Sequence, residues 1–242
     1  MSLFTIADLH LSSLSDHSMD VFGSRWKDYT AKIIKNWRAV VGENDTVIIP
    51  GDISWAMNLK EAREDFAKID SLPGRKLLGK GNHDFWWDTA TKCGNFFKEC
   101  GFQTLSLLYN NAYIVEDFIV CGTRGWFLEK SQQITIGSVD YEKIMNRELL
   151  RLKLSLDEAQ KLKQGEHKNK EILVFLHFPP LWGDFISVPM LDVLATHGVR
   201  RCYFGHIHGS YHVPPRQEYG DLSLFLISSD YLNFVPHRIL PD

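Results

Sequence analysis

The chain has 242 residues, of which 44% are hydrophobic and 24% charged, with a net charge of −3. That length supports a sizeable core and fits one domain spanning residues 1–242. Mild acidity and a pI near 6.4 argue against a protein that coats long nucleic acid or an anionic membrane, so any pull on phosphate must be local.

Leu3 to Ala7 is a short apolar run ending at Asp8, which predicts a buried first strand. Residues two apart in an extended chain share a face, so Asp8 and His10 are expected to point the same way at its carboxyl end. Residues 11 to 24 read as a loop. Tyr29, Ile33, Trp37 and Val40 stand at helical spacing and predict a helix from about Arg25 to Val41. Thr46 to Ile49 is the second strand, broken by Pro50-Gly51 just before Asp52. Leu59, Ala62, Phe66 and Ile69 mark a second helix, closed by Pro73-Gly74.

Lys76 to Leu78 then leads into Gly79-Lys80-Gly81-Asn82-His83-Asp84. The glycines let the backbone turn sharply off a strand end and aim the Asn and His side chains into a cleft. A third helix is expected from about Thr89 to Cys100. Strand, polar residue, helix, repeated three times, predicts parallel pairing through crossover helices. From Gln103 to Cys121 three closely spaced β-type runs, Thr104–Leu107, Ala112–Val115 and Phe118–Cys121, leave no room for crossovers and predict an antiparallel segment.

A long charged helix from roughly Asp140 to Lys163 reads as a solvated face. Ile172 to Leu176 is a further buried strand, stopped at His177 by Pro179-Pro180, and a helix follows around Met190 to Thr196. Arg201 to Phe204 ends in Gly205-His206-Ile207-His208, and Leu222–Ile227 and Arg238–Leu240 look like closing strands. Cys93, Cys100, Cys121 and Cys202 show no C-x-x-C spacing and read as reduced thiols. The N-terminus lacks a basic signal-peptide region, and no stretch approaches the roughly 18 to 20 apolar residues of a membrane span. A cytoplasmic protein is expected, with its oligomeric state left open.

Ligands in open α/β sheets collect outside the carboxyl ends of strands, and Asp8, His10, Asp52, Asn82, His177, His206 and His208 all follow strand-like runs. Two carboxylates, four imidazoles and an amide oxygen suit Mn²⁺, Fe or Zn²⁺ rather than a soft ion. Seven donors exceed the needs of one zinc site and point to two divalent ions sharing a ligand.

These residues fall in blocks reading D-x-H, G-D, G-N-H-D, H and G-H-x-H, in the order seen in the calcineurin-like metallophosphoesterase superfamily, which the chain therefore resembles from Asp8 to His208. The resemblance implies an α/β fold of two mixed β-sheets flanked by helices, a four-layer α-β-β-α sandwich. It also implies that Asp8, His10 and His208 hold one ion, that Asn82, His177 and His206 hold the other, and that Asp52 bridges them. The implied activity is hydrolysis of a small phosphomonoester or phosphodiester, with a nuclease or nucleotide phosphodiesterase as the alternative and an inactive metal-binding scaffold behind both. Two such ions against two carboxylates leave a site of about +2, able to acidify a shared water and to hold a phosphate. His83, not needed as a ligand, is assigned by the resemblance to the leaving-group side as proton donor.

The chain departs from the Ser/Thr protein phosphatase branch at Trp55, which stands where that branch has an acid that orients the catalytic imidazole. His83 is then expected to be oriented by Asp84 or by backbone. Arg124, flanked by Gly122 and Gly125, is the candidate phosphate clamp, against the plainer reading of a surface arginine after an edge strand. Trp126, Phe127, Trp182 and Phe185 fit either an apolar wall or core packing, and Trp86-Trp87 read as packing. His17, His167, His197, His212 and His237 read as solvated or structural.

Overall fold

Each apolar run expected to form a strand does so in the computed structural model, which describes residues 1–14, 18–126 and 138–241. Strands β1 (Leu3–Thr5), β2 (Thr46–Ile49) and β3 (Arg75–Leu78) pair in parallel and are buried almost throughout, as happens when both faces of a sheet are covered. β4 (Leu105–Leu107) adds in parallel beside β3, and β13 (His237–Ile239) closes the other edge antiparallel to β1.

The second sheet runs in the order β11 (Arg216–Tyr219), β12 (Leu222–Leu226), β10 (Arg201–Phe204), β7 (Glu171–Leu176), β6 (Phe118–Thr123) and β5 (Ala112–Val115). Its four inner strands are parallel and its two edges antiparallel. Leu3, Ile48 and Leu77 from the first sheet meet Val120, Leu173 and Phe175 from the second in a core between the layers. Helices α1 (Tyr29–Val40), α2 (Arg63–Asp70) and α3 (Ala90–Glu99) cover the outer face of the first sheet. Helices α4 (Ser138–Leu162) and α5 (Val188–Thr196) cover that of the second. The architecture is the expected four-layer α-β-β-α sandwich.

α1 buries Tyr29, Ile33 and Trp37 along one stripe, but it starts four residues later than its spacing suggests. Ser24–Trp26 instead forms a separate 3-10 turn that buries Trp26 beside the site loops. The antiparallel trio expected between Gln103 and Cys121 is corrected: only β5 and β6 form a hairpin, while β4 belongs to the other sheet. The chain changes sheets at Leu108–Asn111. Leu108 N–H donates to Leu78 O in the first sheet, Asn110 N–H donates to Gly122 O in the second, and Asn110 takes a left-handed φ of 61°.

α4 is also more than a solvated face, since Leu152, Leu156 and Ala159 pack against the second sheet and Glu148 is buried with them. Strand β11 and a small hairpin of β8 (Leu181–Trp182) with β9 (Phe185–Ile186) escape sequence reading, the first because Arg216–Tyr219 lacks apolar alternation, the second because two residues carry no period. His237 lies in β13 rather than in a polar loop. His17 and Phe127 are outside the described residues. The four cysteines are free, and among the described residues no helix is long and apolar enough to cross a membrane.

Candidate metal centre

Six parallel strands, β1, β2 and β3 from one sheet and β7, β10 and β12 from the other, deliver polar residues from their carboxyl ends to a single place. Beyond β1 the chain leaves extended geometry: Asp8 and His10 have φ of 61° and 46°, and Asp52 and His206 have 51° and 70°. Asp8 and His10 are therefore brought together by left-handed turns, not by the strand alternation expected from sequence. Four of the nine non-glycine residues with positive φ among those described stand here, a concentration of strain typical of functional sites.

The sheets are stitched at this point. Ala7 N–H donates to Ile227 O and Ser229 N–H to Ala7 O, while Asp8 N–H donates to Gly51 O and His10 N–H to Asp52 O. Gly81 lies so close to Asp52 that an added Cβ would stand 2.0 Å from Asp52 Oδ1, so glycine is required for the Asp52 and Asn82 loops to touch.

All seven candidate ligands converge here. Asp8, His10 and His208 form one set whose donor atoms lie within 4.8 Å of one another, the trio expected to share an ion. Asp8, Asp52 and His177 form a second such set, so Asp8 belongs to both clusters. Asp52 Oδ2 is 3.7 Å from His10 Nε2 and 3.5 Å from His177 Nε2, between the two groups. Asn82 Oδ1 is 2.7 Å from His177 Nε2, and the His206 and His177 rings are 5.3 Å apart.

The charge environment is unusual for a protein interior. Asp8 and Asp52 are 0% and 1% exposed, yet among the described residues neither pairs with a lysine or arginine. Burial pushes the Asp8 carboxyl up to about 6, and burial together with Asp84 and Asp8 holds Asp52 well above the usual carboxylate range. Burial likewise drives His10 and His177 well below the ordinary imidazole range and His206 down to about 3. Buried carboxylates with no lysine or arginine partner among the described residues, beside the neutral imidazoles of His10, His177 and His206, are a donor set fitted to a cation, which would relieve both pressures.

His177 supports the same conclusion. Its Nδ1 faces Pro50 O at 3.2 Å and its Nε2 faces Asn82 Oδ1 at 2.7 Å, so a neutral ring has a proton for only one of two acceptors. An ion shared by Nε2 and Asn82 Oδ1 resolves the conflict.

Sequence reading misses Asp230. Its Oδ1 accepts from His208 Nδ1 at 2.8 Å and its Oδ2 from Gly209 N–H at 3.0 Å. Burial opposes charge on His208, but the hydrogen bond to Asp230 and the charges of Asp8 and Asp230 outweigh it and raise the imidazole above its ordinary range. A carboxylate behind a ligand histidine fixes the tautomer and turns Nε2 toward the ion. The overlooked signal is Ser228-Ser229-Asp230, polar residues directly after the apolar run of β12. Replacing Asp230 by alanine should weaken binding of Mn²⁺ by about 10- to 100-fold in a metal titration, and unchanged affinity would remove it from this role.

His83 lies beside the clusters with its ring 4.2 Å from Trp55 and 5.6 Å from His10. The expectation that Asp84 orients it is corrected. Asp84 instead accepts backbone N–H bonds from Asp52, Ile53, Ser54 and Gly81 and one from Trp86 Nε1. Orientation comes from the indole of Trp55 and from backbone, since His83 N–H donates to Asp52 Oδ1 at 2.8 Å. Trp55 also stacks on His10 at 5.0 Å, bracing two site imidazoles with one side chain.

Arg124 does not follow an edge strand, because β6 is flanked by β5 and β7. Its carbonyl accepts from His177 N–H and Phe178 N–H, and its guanidinium lies over Trp126 and 3.8 Å from buried Glu148. Trp126 packs on Phe178, Trp182 on Phe204, and Trp86 and Trp87 are buried packing residues.

Fold and centre together define an α-β-β-α sandwich able to hold metal at the strand ends. The chain belongs to the calcineurin-like phosphoesterase family, whose sequence profile matches residues 1–210. It is 36% identical to the Gene 66 protein of Mycobacterium phage L5 over 78 residues, which is 32% of this chain and 37% of that protein's length. Among solved structures it is similar to phosphopantetheinyl hydrolase from Mycobacterium tuberculosis, with a TM-score of 0.55 and 12% identity over 100% of this chain and 96% of that one. A protein from Thermus thermophilus gives a TM-score of 0.58 at 10% identity, covering 95% and 89% of the two chains. At such identities the likeness speaks for the fold alone.

Proposed function

We propose that this protein is a hydrolase that cleaves a small phosphomonoester or phosphodiester using two divalent cations, with Mn²⁺ the first to try and Fe or Zn²⁺ as alternatives. The observation that carries the reading is the pair of fully buried carboxylates, Asp8 and Asp52, enclosed by His10, His177, His206 and His208 without a lysine or arginine partner among the described residues.

Asp8, His10 and His208 would hold one cation and Asn82, His177 and His206 the other, with Asp52 between them. Cations held there supply Lewis-acid charge for phosphate oxygens and lower the pKa of water toward neutrality. Asp230 keeps His208 aimed, and the Pro50 carbonyl does the same for His177. His83 stands at the edge of the clusters with Nδ1 buried and unpartnered among the described residues, leaving Nε2 to carry a proton to the departing oxygen. Trp55 fills the place from which an acid would tune that imidazole, which fits a small ester better than a phosphoprotein. The free thiols are compatible with a cytoplasmic setting.

Purified protein assayed with added Mn²⁺ should hydrolyse p-nitrophenyl phosphate, bis-p-nitrophenyl phosphate or both, and a chelator should abolish the activity. No hydrolysis of either with Mn²⁺, Fe²⁺ or Zn²⁺ would overturn the proposal in favour of a metal-binding scaffold.

A further inference from the structure

Next to the ion site lies a cavity of about 290 Å³ that the reaction as described does not use. Lys80, Arg124, Arg147 and Arg151 line it together with Tyr109 and Trp126. The one acid among the described residues of its wall, Glu148, is 1% exposed, and its Oε1 is engaged by Arg151 and, at 3.8 Å, by Arg124, while its Oε2 has no partner among the described residues. Four cations therefore face one carboxylate, and Lys80 has no ion-pair partner among the described residues. Two donors in the same wall, Arg124 Nε and Trp126 Nε1, are buried without an acceptor among the described residues.

The cavity adjoins the proposed reaction centre through three connections. Lys80 is two residues from Asn82 on the same loop. Arg124 binds the backbone of His177 through its carbonyl. The Arg124 guanidinium lies 5.9 Å from the Phe178 ring, which also lies 4.5 Å from the His206 ring.

We propose that this cavity is a second anion subsite, so that the preferred substrate carries, besides the phosphate to be cleaved, a further phosphate or carboxylate held by Lys80, Arg124, Arg147 and Arg151. The inference rests on the phosphoesterase reading for the identity of the reacting group, but the subsite itself does not depend on metal. Guanidinium groups fixed over Trp126 and against Glu148 are already placed to give paired hydrogen bonds to an oxyanion. The same subsite accounts for Arg124 more fully than a clamp on the scissile phosphate, because its head group faces this cavity.

The test compares the p-nitrophenyl ester of thymidine 5′-phosphate with and without a 3′-phosphate, using the Mn²⁺-loaded full chain. Wild type should show kcat/KM roughly tenfold or more in favour of the substrate with the 3′-phosphate, carried mainly by KM. In Lys80→Ala and Arg147→Ala that ratio should fall toward one. A wild-type ratio near one, or a ratio unchanged in both variants, would overturn the subsite. Should neither ester be cleaved, the phosphoesterase reading is judged by the p-nitrophenyl phosphate and bis-p-nitrophenyl phosphate assays. Calorimetric titration of the metal-free full chain with inorganic phosphate at low salt then decides the subsite: weaker binding in both variants than in wild type supports it, and equal binding in all three overturns it.

Discussion

Replacing His83 by alanine should lower turnover by about 10² to 10⁴ while both metals continue to bind. The side chain contributes no donor atom to either cluster, and the bond that ties its residue to the centre, N–H to Asp52 Oδ1 at 2.8 Å, runs from the backbone and survives the substitution. What is lost is an imidazole held by Trp55 at the mouth of the site. If that imidazole gives a proton to the departing oxygen, the penalty must follow leaving-group basicity. It should be severe for phenyl or alkyl phosphates and mild for p-nitrophenyl phosphate, whose phenolate leaves without help. His83→Gln, similar in reach but unable to relay a proton near neutral pH, should resemble the alanine variant. Metal content by elemental analysis and rates across a leaving-group series check this. A loss uniform over the series, or none, would assign His83 a packing role only.

The second large effect is expected at Asp84. Its carboxylate, 2% exposed, gathers five donors: the N–H groups of Asp52, Ile53 and Ser54 from the loop after β2, the N–H of Gly81 from the loop after β3, and the Trp86 indole. Hydrogen bonds to a charged acceptor are among the stronger ones, and their loss strands buried donors that water cannot reach. Asp84→Ala should therefore cost roughly 3 kcal/mol or more in unfolding free energy. It should also weaken metal binding, since the two loops it joins carry Asp52 and Asn82. Asp84→Asn should recover only part of the loss, because its amide places two donors among donors. Denaturant unfolding and metal titration read the two consequences separately, and wild-type values in both would show that the loops hold their shape without the carboxylate.

Trp55 shows why some of this chemistry is invisible in one dimension. Its identity marks a departure from the protein phosphatase pattern, but nothing local reveals that an indole would stack on His10 and tilt against His83. Asp230 follows an apolar run as Asp8 and Asp52 do, and it could have been noticed on that ground. Its pairing with His208 spans 22 residues and depends on β10 and β12 lying side by side. Arg124 stands at the end of an interior strand, and the direction of its guanidinium is fixed by Glu148 on α4, a helix whose charges give no hint of which one is buried.

The sequence by itself determined where the strands end and which polar residues stand there. Apolar runs, glycine breaks and hydrogen-bonding side chains act over a few residues, and at that range the chain has little choice. Tertiary structure decided the rest: that β4 joins the first sheet, that Asp8 reaches both donor clusters through left-handed turns, and that Lys80, Arg124, Arg147 and Arg151 share a cavity. Those outcomes depend on which surfaces pack together and which charges lose their water, and both are properties of the whole fold.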